Sequence, residues 1–370
     1  MAERLGIRAL NRALLERQLL LRRSAMPVLD AIEHLIGLQS QAPNPPYIGL
    51  WTRLVGFQPD QLVDLIMQRK AVRVALMRGT VHLVSARDCL LLRPLLQPLY
   101  DRTLYANTNL APGSDDLNID TLVAETTKLL IERPRTPKEI GTLLRERWPD
   151  RDGAALAYAA RNRLALVQVP PRGLWGKSGQ TTLTTAEHWL DRSLAHDPQP
   201  DEVVLRYFRA FGPATAKDAQ VWSGLVKLGE VVDRLRPRLR AYVDDEGREL
   251  LDVPDGARPD EDEPAPVRFL PEYDNLLRSH VERSRVLPPE YKPLLATKND
   301  SPMPTFLVDG FVRGTWRLSN ERGRATLRVV PFAALGAADT TAVTAEAERL
   351  LEFLAAGADT RDLQIAPRPG

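Results

Sequence analysis

Cysteine is nearly missing. Cys89 stands alone in 370 residues, which excludes a disulfide framework and a cysteine-built metal centre. The five histidines, at 34, 82, 188, 196 and 280, show no His-Glu-x-x-His spacing, so neither metal nor cofactor is expected. No Gly-x-Ser-x-Gly elbow occurs, and no lysine stands out as a nucleophile. Gly176-Lys177-Ser178 fails as a phosphate loop because Pro171 occupies the place of its first glycine. No apolar run approaches membrane length, and the start at Met1 has no signal-peptide core, so a cytoplasmic location is expected. A dominant sign of charge is also lacking: 50 basic against 48 acidic residues leave a net charge of +2. With no heptad seam or other dimer helix, the expected state is a monomer.

What is present is arginine. Only 8 of the 50 basic residues are lysine, a bias that suits forked phosphate and base-edge contacts and is equally produced by a GC-rich genome. Along the chain, short amphipathic helices followed by a hairpin recur three times. In the first round, helices over 3–23 and from Pro27 precede strands at 72–76 and 80–84. The second has helices at 117–132, from Pro137 and at 153–166, then strands at 167–169 and 181–185. The third has helices at 201–211, after Thr215 and at 225–235, then strands at 239–243 and 249–253. Capping boxes open two of these helices, at Thr136 and Thr215. The predicted fold is therefore α+β, mainly α. It comprises three tandem winged-helix motifs (1–110, 111–198, 199–254) and, past an acidic, proline-containing linker at 255–266, a C-terminal α+β unit (267–370).

Candidate contacts with double-stranded DNA follow from that order. Arg161 and Arg163 lie on the last helix of the second round, and Arg172, Trp175 and Lys177 on its wing tip. Arg313, Trp316 and Arg317 lie on a hairpin turning at Asp309-Gly310, which reads either as part of a small sheet or as a finger for the minor groove. His280, among arginines, is the one histidine placed near a substrate; His82 reads as structural. Gln39 and Gln41 fall where the helix ending at Gly37 gives way to Pro43-Asn44-Pro45-Pro46. Two amides at that spacing can hold one water, although spacing alone favours a capping and corner role.

Leu38-Gln39-Ser40-Gln41, the stretch Met77 to Val84, Gly173-Leu174-Trp175-Gly176, and Leu270-Pro271-Glu272-Tyr273-Asp274 with His280 together resemble the AlkZ/YcaQ-like winged-helix DNA glycosylases over almost the whole chain. The resemblance implies a C-shaped body cradling duplex DNA and excision of bulky N7-alkylated purines. It extends to interstrand crosslinks and, in some members, to self-resistance against a DNA-alkylating antibiotic of the azinomycin kind. It also implies a catalytic signature at Gln39 and Gln41, in the two-glutamine form of the AlkZ branch. Ser40 departs from the usually apolar middle residue, which puts the local packing in question. The alternative is a winged-helix regulator without catalysis, its glutamines a structural corner.

Overall fold

The computed structural model describes residues 3–106, 117–295 and 302–366. The module boundary expected near 110 lies outside them. Among the described residues thirteen strands occur. They are β1 (Glu3–Arg4), β2 (Leu38–Gln39), β3 (Ala71–Ala75), β4 (Val81–Ser85), β5 (Leu166–Gln168), β6 (Leu183–Thr185), β7 (Arg240–Val243), β8 (Glu249–Asp252), β9 (Arg268–Leu270), β10 (Thr305–Val308), β11 (Phe311–Glu321), β12 (Arg324–Pro331) and β13 (Thr360–Ile365). All four expected hairpins pair antiparallel: β3 with β4, β5 with β6, β7 with β8, and β10 with β11.

Local chemistry explains the helix starts. Thr136 and Thr215 form the expected capping boxes with Glu139 and Asp218, and Ser85 Oγ accepts from the Asp88 amide to open the helix Ala86–Leu95. Long-range pairing departs from the modular picture. The first two hairpins share one sheet, ordered β2-β4-β3-β5-β6, joined where Arg73 faces Gln168 and Val74 faces Val167. The third hairpin takes β1 as a parallel partner, and β9 to β13 make the C-terminal sheet. Two large cores result: one ties the first helix to the helices after 200, and the other ties the helices before 70 to the C-terminal sheet and the helix Ala337–Leu354.

The segment at 255–266 is not a free linker. Arginines of the first helix, Ile7–Arg17, catch its backbone: Arg8 donates to Glu261 O, Arg12 to Glu263 O and Arg17 to Ala257 O. Composition alone reads as solvated because the donors lie some 240 residues earlier in sequence. Buried pairs lock distant parts likewise, Arg17 with Asp252 and Arg53 with Asp274 through two 2.8 Å bonds. Pairs of this kind fix geometry more than they add stability, because desolvation offsets most of the attraction.

Candidate active site

The helix Val28–His34 must end abruptly for the chain to reach β4. Gly37 makes this possible: its φ is 88°, and a Cβ there would sit 2.5 Å from Val84 Cγ1 and 2.9 Å from Leu83 O. Its carbonyl accepts a 2.8 Å bond from Asn275 Nδ2, so the segment after Asp274 braces the corner from behind. Beyond it Leu38 pairs with Leu83 and Gln39 with His82.

The two glutamines are then fixed by donors. Gln39 Oε1 accepts from Arg78 Nη2 at 3.0 Å, and Gln41 Oε1 accepts from the Val81 amide at 3.2 Å. Neither a guanidinium nor a peptide N–H can accept, so chemistry settles which end of each carboxamide faces inward. Each NH2 faces away from its donor, and each carbonyl keeps a second lone pair. Gln39 lies deep, 6% exposed, whereas Gln41 is exposed. Gln39 ends the short strand β2, and Gln41 lies in the bend that follows it.

Ser40, between them, is fully buried. Its Oγ accepts from Arg73 Nε at 2.9 Å and its carbonyl accepts from Arg73 Nη2 at 2.8 Å. The departure from an apolar middle residue thereby has a role: the hydroxyl and carbonyl of Ser40 take two of the donors of a buried guanidinium that has no carboxylate partner among the described residues and whose Nη1 is left without an acceptor. Arg78 is half-buried, also has no carboxylate partner among the described residues, and donates to Trp222 O at 2.6 Å. Burial lowers both arginines to about 10, helped by Arg172 near Arg73 and by Arg278 near Arg78. Burial and Arg78 push His82 down to about 3. Its ring is neutral at physiological pH, with Nδ1 donating to Thr80 O at 3.0 Å.

Gln41 opens on a cavity of about 290 Å3 whose walls, among the described residues, include Arg93, Arg161, Arg172 and Gln168 but no aspartate or glutamate. A second cavity, about 470 Å3, shares Arg161 and adds Lys138 and Arg145, again without an acid. In a chain with nearly balanced charge, an acid-free tract of five cations attracts anions.

The other expected contacts divide. Lys177 and Arg317 are exposed, and Arg313 is half-buried. Arg163 is exposed but ion-paired with Asp101 at 2.5 Å. Trp175 leaves the wing tip to pack between Tyr47 and Phe353, with ring centroids 5.0 and 5.3 Å away. Two expectations are corrected. His280 is buried, its Nε2 3.0 Å from Phe211 O, and Trp316 keeps only 5% of its surface exposed, with Nε1 shared between Leu270 O and Thr305 O; backbone carbonyls take up the polar tip of each. The Asp309-Gly310 turn is no finger beside the glutamines either, since Arg8 and Arg12 grip Asp309 and Asn11 Nδ2 donates to Gly310 O. The exposed end of the β-ribbon is the opposite one, around Arg322-Gly323. Sequence reasoning missed Arg73, Arg78 and Asn275; only their nearness in sequence to the recognised stretches hinted at them.

The sequence matches the model of the family described as DNA glycosylase AlkZ-like over residues 32–353. The chain belongs to the AlkZ-like DNA glycosylase family. Its fold is similar to that of the DNA glycosylase AlkZ of Streptomyces sahachiroi, with a TM-score of 0.77 and 21% identity over 98% of this chain and 100% of that one. Comparison with curated proteins gives no match. Membership makes this chain a DNA-acting enzyme. Among its described residues no helix is long and apolar enough to cross a membrane, and no His, Cys, Asp and Glu cluster suits a metal.

Proposed function

We propose that this glycosylase hydrolyses the N-glycosidic bond of bulky N7-alkylated purines in duplex DNA, acting as a monomer through Gln39 and Gln41. The observation that carries the reading is the pinning of both carboxamides by donors that cannot accept. Each amide thus offers a carbonyl lone pair and two N–H groups in fixed directions, beside a cationic tract suited to phosphates.

An N7-alkylated purine is already a cation, so the C1′–N9 electron pair leaves with a base that becomes neutral and needs no proton. The neutral, buried His82 could not supply one. Water oxygen bonds to C1′ as that bond breaks, and the proton it sheds passes to solvent because an amide cannot hold it. The glutamines lower the barrier by placing the water, and strand phosphates stabilise the positively charged sugar. A lesion joined to the opposite strand cannot be flipped freely, so an open tract at the glutamines also suits crosslink unhooking and, with it, self-resistance to an alkylating antibiotic. Arg161, Arg172, Lys177, Arg313 and Arg317 are the proposed DNA contacts, with winged-helix motifs carrying the first three.

The test uses duplex DNA with one N7-alkylguanine, followed by alkaline cleavage of abasic sites. Gln39→Ala and Gln41→Ala are each expected to slow single-turnover release by on the order of a hundredfold. Release by the double variant at the unaltered rate refutes the assignment.

A further inference from the structure

Bordering the proline-rich segment that follows the glutamines lies a larger cavity, about 710 Å3, within the roughly 300–1,000 Å3 range of small-molecule sites. Its walls are chiefly apolar, among them Ile48, Met303, Trp316 and Leu318, with Arg317 and Arg328 exposed on the β-ribbon side. Asn44 and Pro45, three and four residues after Gln41, form one edge. Among the described residues Glu272 is the single acid in the lining. It is half-buried and makes no hydrogen bond or ion pair with the described residues, although two arginines line the same space.

Glu272 is also rigidly presented. Tyr273 after it holds the left-handed φ of 64°, Asp274 is clamped by Arg53, and the Leu270 carbonyl before it takes a bond from Trp316 Nε1. Arg278 lies over the Tyr273 ring and close enough to Arg78 to lower it, and Arg78 bonds Gln39, so this turn adjoins the glutamine corner. An unpaired carboxylate held in a mostly apolar cavity is costly unless a cation arrives to meet it.

From this geometry we infer that the cavity receives the alkylated part of the substrate, and that Glu272 is a specificity-determining residue pairing with the positive charge of the N7-alkylpurine. The inference rests on the reading of the substrate given above. Apolar walls take the bulk of the adduct, the carboxylate takes its charge, and Arg317 and Arg328 face flanking phosphates. These three features match a cationic, bulky-bodied nucleotide and do not match a neutral base.

Charge recognition can be read without catalysis. One probe is a duplex carrying N7-alkylguanine on a 2′-fluoroarabino sugar, which resists cleavage. Its neutral control is 7-deazaguanine bearing the same alkyl group at C7. The wild-type protein is expected to bind the cationic probe about tenfold more tightly, the worth of one charge-assisted contact. Glu272→Gln should abolish that preference by weakening the cationic complex alone, and Glu272→Asp should retain part of it. Equal affinities in the wild type, or an undiminished preference in Glu272→Gln, overturn the inference. Base release by Gln39→Ala is scored separately on cleavable DNA. Preference kept while that variant still releases base at the normal rate tells against the glutamines and leaves the pocket standing.

Discussion

Arg78 makes three polar contacts, to Trp222 O, Gln39 Oε1 and, at 3.5 Å, His82 Nε2, and no carboxylate among the described residues balances its charge. A guanidinium can serve all three acceptors because its N–H groups diverge in one plane; a lysine ammonium cannot reach the same set. If Arg78 acts by orienting Gln39, its removal matters only while Gln39 is there. Arg78→Met is expected to slow single-turnover base release about tenfold or more, with DNA affinity changed by about threefold at most. In a Gln39→Ala background the same change should do almost nothing further. An effect of full size in that background shows that Arg78 acts elsewhere. At this scale the sequence was partly legible. The glutamines stood out as a pair of amides at a corner, whereas a half-buried arginine without an acid leaves no mark in a chain so rich in arginine. His280 and Trp316 misled for a related reason: polar tips look available until the backbone carbonyls that consume them are known.

The corner itself depends on one backbone conformation. Gly37→Ala brings a Cβ against Val84 and the Leu83 carbonyl at a positive φ, so either the helix end or the pairing of Gln39 with His82 must shift. Strain at such a site costs of order 1–3 kcal/mol. Denaturant unfolding should show a loss of that size, and base release should fall with it, since displacing Gln39 breaks its bond to Arg78; normal activity in a destabilised Gly37→Ala protein argues that Gln39 is not the positioned group. Hairpins and capping boxes were readable from the sequence because their signals are local: alternation, a glycine turn, Thr followed by an acid three residues on. The merging of the first two hairpins into one sheet was not. The Arg73 to Gln168 pairing spans almost a hundred residues, and no local pattern tells a central strand's partner. Nor was the docking of the Trp175 wing tip readable, since its anchors are Tyr47, whose hydroxyl donates to Gly173 O at 2.8 Å, and Phe353.

Across the whole molecule, burial of ionisable groups sets how folding responds to pH. His82 falls from 6.5 to about 3, and burial drives His280 down as well, so both stay neutral when folded. An unfolded chain would protonate them below 6.5 and thus binds more protons between the two values. Stability therefore rises with pH across that window and is lost on acidification, by up to about 1.4 kcal/mol per pH unit for each histidine. Against the upward push of burial, the Val281 and Thr215 amides and the Thr215 hydroxyl hold the Asp218 carboxyl below its usual range, which adds loss in the same direction at lower pH. Glu272 has the opposite sign: burial raises its carboxyl, so the folded state holds the proton more tightly and stability falls as pH rises through the raised value. Thermal unfolding at pH 4 and pH 7.5 separates these contributions. His82→Gln should flatten the acid limb. Glu272→Gln should raise the midpoint at pH 7.5, where the wild-type carboxylate is ionised without a partner, and leave it almost unchanged at pH 4. Should Glu272→Gln lower the midpoint at pH 7.5, the carboxylate has a stabilising partner in the free protein and is not being held open for a cation.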